Sequence, residues 1–213
     1  MGATLAWRDP PDRDNRAFGT SVTFGGLSDR GTGYMAFSDR VGPGVLLVHD
    51  EFGLGGSLVA LADEFRAAGF TVLCPDLHGT DERVARARLR AGAAHLTDNW
   101  HPQLGLVGFS IGADLAAGLA EEIEPNAVVL FYSSAALPGG LPEIPVQAHV
   151  GARGLATEAG AVTASFDRLA DGEVYLYEEA GHGFANPEGD SFAEAPARTA
   201  IERTLAFLRY HLS

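Results

Sequence analysis

Two short stretches of the sequence pair a residue that could attack a carbonyl carbon with one that could take its proton. Gly108-Phe109-Ser110-Ile111-Gly112 has the form G-x-S-x-G, the pattern in which a serine sits on a tight strand-to-helix turn with its hydroxyl exposed. Far downstream, Glu178-Glu179-Ala180-Gly181-His182-Gly183-Phe184 places a histidine between two glycines. A serine hydroxyl is a weak nucleophile at neutral pH and needs a base within hydrogen-bond reach. Serine ahead of histidine along the chain is one of the orders in which nucleophile and base recur. The serine motif alone is weak, because in a chain with 27 glycines among 213 residues it arises by chance about once in six such sequences. Its other reading is a glycine-rich turn without chemistry, so the surrounding elements have to decide.

Those elements alternate. SVTFGG and GYMAFS read as an opening pair of strands, with Asp29-Arg30-Gly31 as the turn. GVLLVH and FTVLCP are short apolar runs of the kind covered on both faces. LGLVGF, AVVLFY, VQAHV and EVYLYE read as four further strands. Helical spacing runs over Leu58–Ala68, Asp81–Leu96, Ile111–Glu122, roughly Glu158–Leu169, and Ala197–His211. Strands alternating with helices of this length predict an α/β fold with a mostly parallel sheet of about eight strands and helices on both faces. In such sheets function collects at the carboxyl ends of the strands. GFSIG lies where a buried strand runs straight into a helix, the setting a nucleophile turn requires. His182 follows the last strand, and this makes it the candidate base. His49, His78 and His149 read as satisfied structural histidines.

Composition narrows the classes. One domain over residues 16–213 is expected, behind a polar tail formed by residues 1–15. A net charge of −13 argues against nucleic acid and anionic membrane as partners. All fifteen basic residues are arginine, which excludes Schiff-base or lysine-base chemistry. The lone cysteine, Cys74, permits no intrachain disulfide and reads as a small buried hydrophobe. No apolar run is long enough to span a membrane, and the N-terminus lacks the pattern of a signal peptide, so a cytoplasmic protein is expected.

HDEFGL, AGFTVLCPDLHG, GLVGFSIGADLA and YEEAGHGFANP occur in this order from about Gly44 to the C-terminus. Together they resemble the dienelactone hydrolase family within the α/β-hydrolase fold. The resemblance implies hydrolysis of a small ester or lactone through an acyl-enzyme, with neither metal nor cofactor. It matches Glu51 to a glutamate beside the nucleophile. It also implies an oxyanion hole made by the backbone N–H groups of Ile111 and Phe52. The Ile111 donor follows from the turn itself, the Phe52 donor from the resemblance alone. The family often uses cysteine where this chain has Ser110.

The sequence departs from the family in three places. Gly154 stands where the family places the aspartate that orients the histidine. Asn186 stands where the best-known lactone hydrolases have an arginine for the substrate carboxylate; Arg83 and Arg86 are the nearest alternatives in sequence. The segment between PDLHGT and the nucleophile strand is short. Glu158 is the candidate replacement acid, with Glu179 and Glu51 behind it. The other reading of Glu158 is a first-turn carboxylate facing the helix dipole. Two functions follow: a serine ester or lactone hydrolase, or an impaired family member that binds a small molecule or a protein. The sequence leaves the oligomeric state open.

Overall fold

A computed structural model describes residues 19–27, 29–133, 143–153, 156–166 and 169–213, with the backbone alone for 156–159 and 161. The expected tail, residues 1–15, lies outside the described residues. Eight strands form one sheet: β1 (Gly19–Phe24), β2 (Gly31–Ala36), β3 (Gly44–Val48), β4 (Thr71–Pro75), β5 (Leu104–Phe109), β6 (Ala127–Phe131), β7 (Val146–Arg153) and β8 (Gly172–Gly181). The helices are α1 (Gly56–Ala67), α2 (Glu82–Asn99), α3 (Ile111–Ile123), α4 (Ala156–Phe166) and α5 (Glu194–His211). The strand order is β1-β2-β4-β3-β5-β6-β7-β8. β1, β2 and β4 pair antiparallel and every later pair is parallel. The α/β architecture and strand count expected from the sequence are therefore observed.

The strand sequences explain both faces. In β3, Leu46 and Val48 face the layer of α2, α3 and α4, while Val45 and Leu47 face α1 and α5. β6 alternates in the same way, with Val128 and Leu130 on one side and Val129 and Phe131 on the other. This period of two, apolar on both faces, is what a sheet sandwiched between helices requires. The helices begin and end on local signals. Asp81 caps α2 by accepting a bond from Val84 N–H at 2.8 Å. Gly69 takes a φ of +104°, which lets the chain leave α1 and enter β4. Arg86 and Arg90 clasp Glu122 at 2.9 and 2.6 Å, tying α2 to α3.

Some boundaries differ from the sequence reading. The opening pair begins two residues earlier than SVTFGG and GYMAFS suggest, because Gly19 and Thr20 pair with Ala36 and Met35, and Gly31 and Thr32 with Phe24 and Thr23. α4 starts at Ala156 and ends at Phe166. β7 and β8 both run on past their apolar segments, to Arg153 and Gly181. Cys74 is fully buried in β4, and burial pushes its thiol far up, so it is the small hydrophobe expected.

His149 sits in β7 with no exposed surface. Its Nδ1 meets the Tyr177 hydroxyl at 2.9 Å, and its Nε2 meets Gln147 Oε1 at 2.9 Å and Thr204 Oγ1 at 3.0 Å. Burial, reinforced by Arg203, pushes the imidazole from 6.5 down to about 3. The unfolded chain therefore binds this proton more tightly than the folded one. The stability is fully present above about pH 6.5 and is lost as pH falls toward about 3. The loss should reach a few kcal/mol, roughly, since each pKa unit is worth about 1.4 kcal/mol. Against His149→Gln, which is neutral at every pH, the wild-type advantage in melting temperature should shrink between pH 7 and pH 4. A calorimetric gap that stays constant over that range contradicts the assignment.

Candidate active site

β5 ends at Phe109 and α3 begins at Ile111, leaving Ser110 to turn the chain alone. Its φ and ψ are 52° and −120°, a conformation that costs a residue with a Cβ and persists only when the surroundings impose it. The surroundings do so through backbone bonds. Ser110 N–H donates to the Phe131 carbonyl at 3.0 Å, and the Ser110 carbonyl accepts from Ala113 at 2.9 Å. The flanking glycines answer to close approach. A Cβ on Gly108 would run into the Gly112 carbonyl and the backbone of Ala113, and one on Gly112 into the carbonyls of Val48 and His49. Ser110 is thus fixed at the carboxyl edge of the sheet, and its Oγ lies 3.0 Å from Nε2 of His182.

His182 is the first residue beyond β8. Gly183, at φ +77°, turns the chain away, and bonds from Asn186 N–H to the Gly183 carbonyl and from Ala193 N–H to the Phe184 carbonyl close the loop. The imidazole is exposed on one side. On the other it packs against the ring of Tyr132, 5.2 Å between centroids at 58°. The structure therefore brings together the two residues on which the sequence reading centred.

The loop between β3 and α1 is braced to the His182 loop. Asp50 Oδ1 accepts from Phe52 N–H at 3.0 Å, and its Oδ2 accepts from Asn186 Nδ2 at 3.2 Å. Asn186 Oδ1 accepts from Glu188 N–H at 2.9 Å, and Glu188 Oε1 accepts from Ser57 N–H at 3.3 Å in the first turn of α1. Burial pushes the Asp50 carboxyl above its ordinary value, against the bond from Phe52, with Glu51 adding to the rise. Two expectations change here. The Phe52 N–H is engaged by Asp50 and does not stand open to the cleft, because Asp50 closes a side-chain turn over it. Asn186 is a buried tie between two loops, with both ends of its amide used. Ile111 opens α3, so its N–H has no acceptor within the helix and can face a ligand.

The orienting acid is not among the contacts of His182. Nδ1 meets no acceptor among the described residues. β7 carries Arg153 opposite Gly181, next to His182, but the residue that follows, Gly154, lies outside the described residues. Glu158 falls in the first turn of α4 and its side chain also lies outside them. Glu179 is exposed on β8, and Glu51 lines the cleft without a hydrogen bond to His182. Arg86 is committed to Glu122 and to the Gly118 carbonyl at 3.0 Å, and so is no substitute for the missing arginine. His49 is structural: Nε2 accepts from Leu77 N–H at 2.9 Å while Nδ1 faces the Asp50 carbonyl at 2.6 Å.

The cleft over Ser110 and His182 is walled by Phe52, Tyr132, Asn186 and the carboxylates of Asp50, Glu51 and Asp190. Among the described residues that line it there is no arginine. Asp50 and Tyr132 were not singled out by the sequence reading. Their signal was position: each follows the end of a parallel strand at the edge where sites form. Among the described residues no cluster of three or more His, Cys, Asp or Glu is placed to hold a metal ion. No described helix is long and apolar enough to cross a membrane.

Comparison with known proteins gives a consistent picture. The sequence model of the dienelactone hydrolase family matches residues 80–212. No curated protein matches the sequence significantly. A dienelactone hydrolase-like promiscuous phosphotriesterase from metagenomic libraries superposes with a TM-score of 0.77 at 20% identity, over 92% of this chain and 98% of that one. The dienelactone hydrolase of Anabaena variabilis gives 0.76 at 18%, again over 92% and 98%. An esterase of Pyrococcus furiosus gives 0.73 at 14%, over 95% and 94%. At these identities the likeness is one of fold, the α/β-hydrolase fold.

Proposed function

The chain belongs to the dienelactone hydrolase family, hydrolases that act on ester bonds, and from that premise we propose that it cleaves small neutral esters or lactones through an acyl-enzyme on Ser110. The observation that carries this reading is the 3.0 Å contact between Ser110 Oγ and His182 Nε2 at a strained strand-to-helix turn. In the first half-reaction His182 takes the hydroxyl proton as Oγ attacks the carbonyl carbon. The oxyanion that forms faces the N–H of Ile111 at the start of α3, where the helix dipole favours negative charge. Collapse expels the alkoxide, which receives the proton from His182. Water then attacks the acyl-serine with His182 again as base, and Ser110 is released.

The walls of the cleft bear on the substrate's charge. Asp50, Glu51 and Asp190 line it and no guanidinium does so among the described residues, so a substrate carboxylate meets repulsion and lacks the paired recognition an arginine supplies. A second reading, a member that binds a small ligand but hydrolyses it poorly, draws support from one observation only, the lack of an acceptor at His182 Nδ1 among the described residues.

A fluorophosphonate probe read by mass spectrometry, run beside a nitrophenyl-ester assay, separates the two. Wild type should be labelled at Ser110 and turn over the ester, and Ser110→Ala should lose both; full labelling of the variant contradicts the assignment. Gly154→Asp restores the family's acid at the position that follows Arg153. It should raise kcat by about tenfold or more if His182 lacks an orienting partner, since losing such a partner elsewhere costs about 10⁴-fold. Unchanged kcat in a folded variant would mean the role is already filled. For a lactone bearing a carboxylate, kcat/KM should fall about tenfold or more below that of its methyl ester, the loss of one charge-assisted pair. The reverse order contradicts the assigned charge preference.

A further inference from the structure

An acyl-transfer site of this kind needs two hydrogen bonds aimed at the oxyanion, and here the Phe52 N–H is already spent on Asp50 at 3.0 Å. We propose that the hydroxyl of Tyr132 supplies the second bond, beside the N–H of Ile111. The proposal rests on the reading of Ser110 as the nucleophile.

Three observations converge on this hydroxyl. The first is that it has no partner among the described residues. Of the other four tyrosines, all but the exposed Tyr210 have one: Tyr34 donates to Asp63 at 3.0 Å, Tyr175 to Glu173 at 3.1 Å, and Tyr177 meets His149 at 2.9 Å. Tyr132 is the most buried of them, with 3% of its surface exposed. A buried hydroxyl left unpaired costs free energy unless something else fills the bond. Though unpaired, this oxygen is not enclosed on all sides, and Tyr132 lines the cleft together with Ser110 and His182.

The second is placement. Phe131 pairs with Phe109 in the sheet and its carbonyl accepts the Ser110 N–H. Tyr132 is therefore the strand-end neighbour of the nucleophile. Its φ of +40° turns the chain sharply at that point, and its N–H is held by the His149 carbonyl at 2.8 Å. A left-handed backbone at a bulky residue is uncommon and clusters at functional sites. The ring passes beneath His182 at 5.2 Å.

The third is charge. Asp50 and Glu51, on the loop after β3, act on the phenol, which places them near its hydroxyl end. That loop is where the expected second donor would have stood. Burial first, then these two carboxylates, hold the phenol well above its ordinary value, so it stays a donor across the working pH range. In the tetrahedral step the O–H shortens its bond to the oxygen as charge develops there, and no proton is transferred.

The test compares wild type with Tyr132→Phe, which keeps the ring against His182 and removes only the oxygen. Provided the fluorophosphonate labels wild type at Ser110, unlabelled Tyr132→Phe should show about 10²–10³-fold lower kcat than unlabelled wild type, the usual cost of one oxyanion donor. KM should change by less than about threefold, and the affinity for phenylboronic acid, which forms a tetrahedral adduct, should fall in parallel with kcat/KM. A merely structural tyrosine would not produce that parallel. A crystal structure of the wild-type boronate adduct gives an answer independent of the variant's folding. An adduct oxygen about 2.6–3.2 Å from Tyr132 Oη is expected. Ser110 labelled while Tyr132→Phe keeps wild-type kcat, or an adduct oxygen bonded to Phe52 N–H in place of Tyr132, overturns this proposal and leaves the nucleophile assignment standing. Wild type unlabelled at Ser110 overturns both.

Discussion

A single backbone bond, from Ser110 N–H to the Phe131 carbonyl at 3.0 Å, joins the ends of β5 and β6, and the site is arranged around it. Both strands stop at the same level because Phe109 and Phe131 are paired in register, with their rings stacked at 4.6 Å. The next residue on each strand, Ser110 and Tyr132, takes a positive φ. Two strained residues side by side form one device: the sheet delivers both to its carboxyl edge, and backbone bonds to Phe131, Ala113 and His149 hold them there. The glycines belong to the same constraint. Gly112 lets α3 start against the carbonyls of Val48 and His49, so the Ser110 turn and the β3 loop are held at van der Waals distance.

The polar brace beyond the elbow follows from that proximity. Loops carry backbone groups that must find partners when they approach each other away from water. Asp50, Asn186 and Glu188 meet this need in sequence, ending on the first turn of α1, whose N-cap Gly55 has no side chain to do the work. Glu188 there does what an N-cap carboxylate normally does from within the helix. The brace ties the loop after β3 to the loop after β8, so the placement of His182 relative to Ser110 rests on residues that touch neither.

Much of this was legible in the sequence, and the reasons for the remainder are specific. Apolar runs such as GVLLV and LGLVGF name buried strands because they are too short for a buried helix, are rich in Val and Leu, and alternate with helical segments. Ser110 could be read because Gly108 and Gly112 record close backbone approach, and His182 because Gly183 permits the positive φ that turns the chain, constraints written into residue type. The Phe52 donor could not, because an N–H carries no sequence mark, and whether it faces the cleft or Asp50 depends on one side-chain turn. Asn186 read as a missing arginine because its partners, Asp50 and the Glu188 N–H, are respectively 136 residues upstream and two residues downstream. Tyr132 carried no motif at all; strand register alone set it beside Ser110. The ends of β7 and β8 outran their apolar segments because pairing between backbones, as at Arg153 and Gly181, needs no hydrophobic side chain.

The electrostatics of the cleft and the shortage of ready-made donors bear on each other. Asp50, Glu51 and Asp190 line the cleft in which the proposed acyl transfer would form an oxyanion, and in a partly buried cleft such charges are screened less than on an open surface. Neutral dipoles held rigidly are the remaining means of offsetting them, because an arginine placed there would pair with the carboxylates first. The Ile111 N–H is fixed by the helix behind it, and a phenol fixed by burial is the same kind of group: a donor whose orientation was settled when the chain folded and costs nothing further during reaction. The same carboxylates, by acting on that phenol, keep the proton on it. In the proposed mechanism the acidic wall that opposes the oxyanion therefore also preserves a neutral donor to face it.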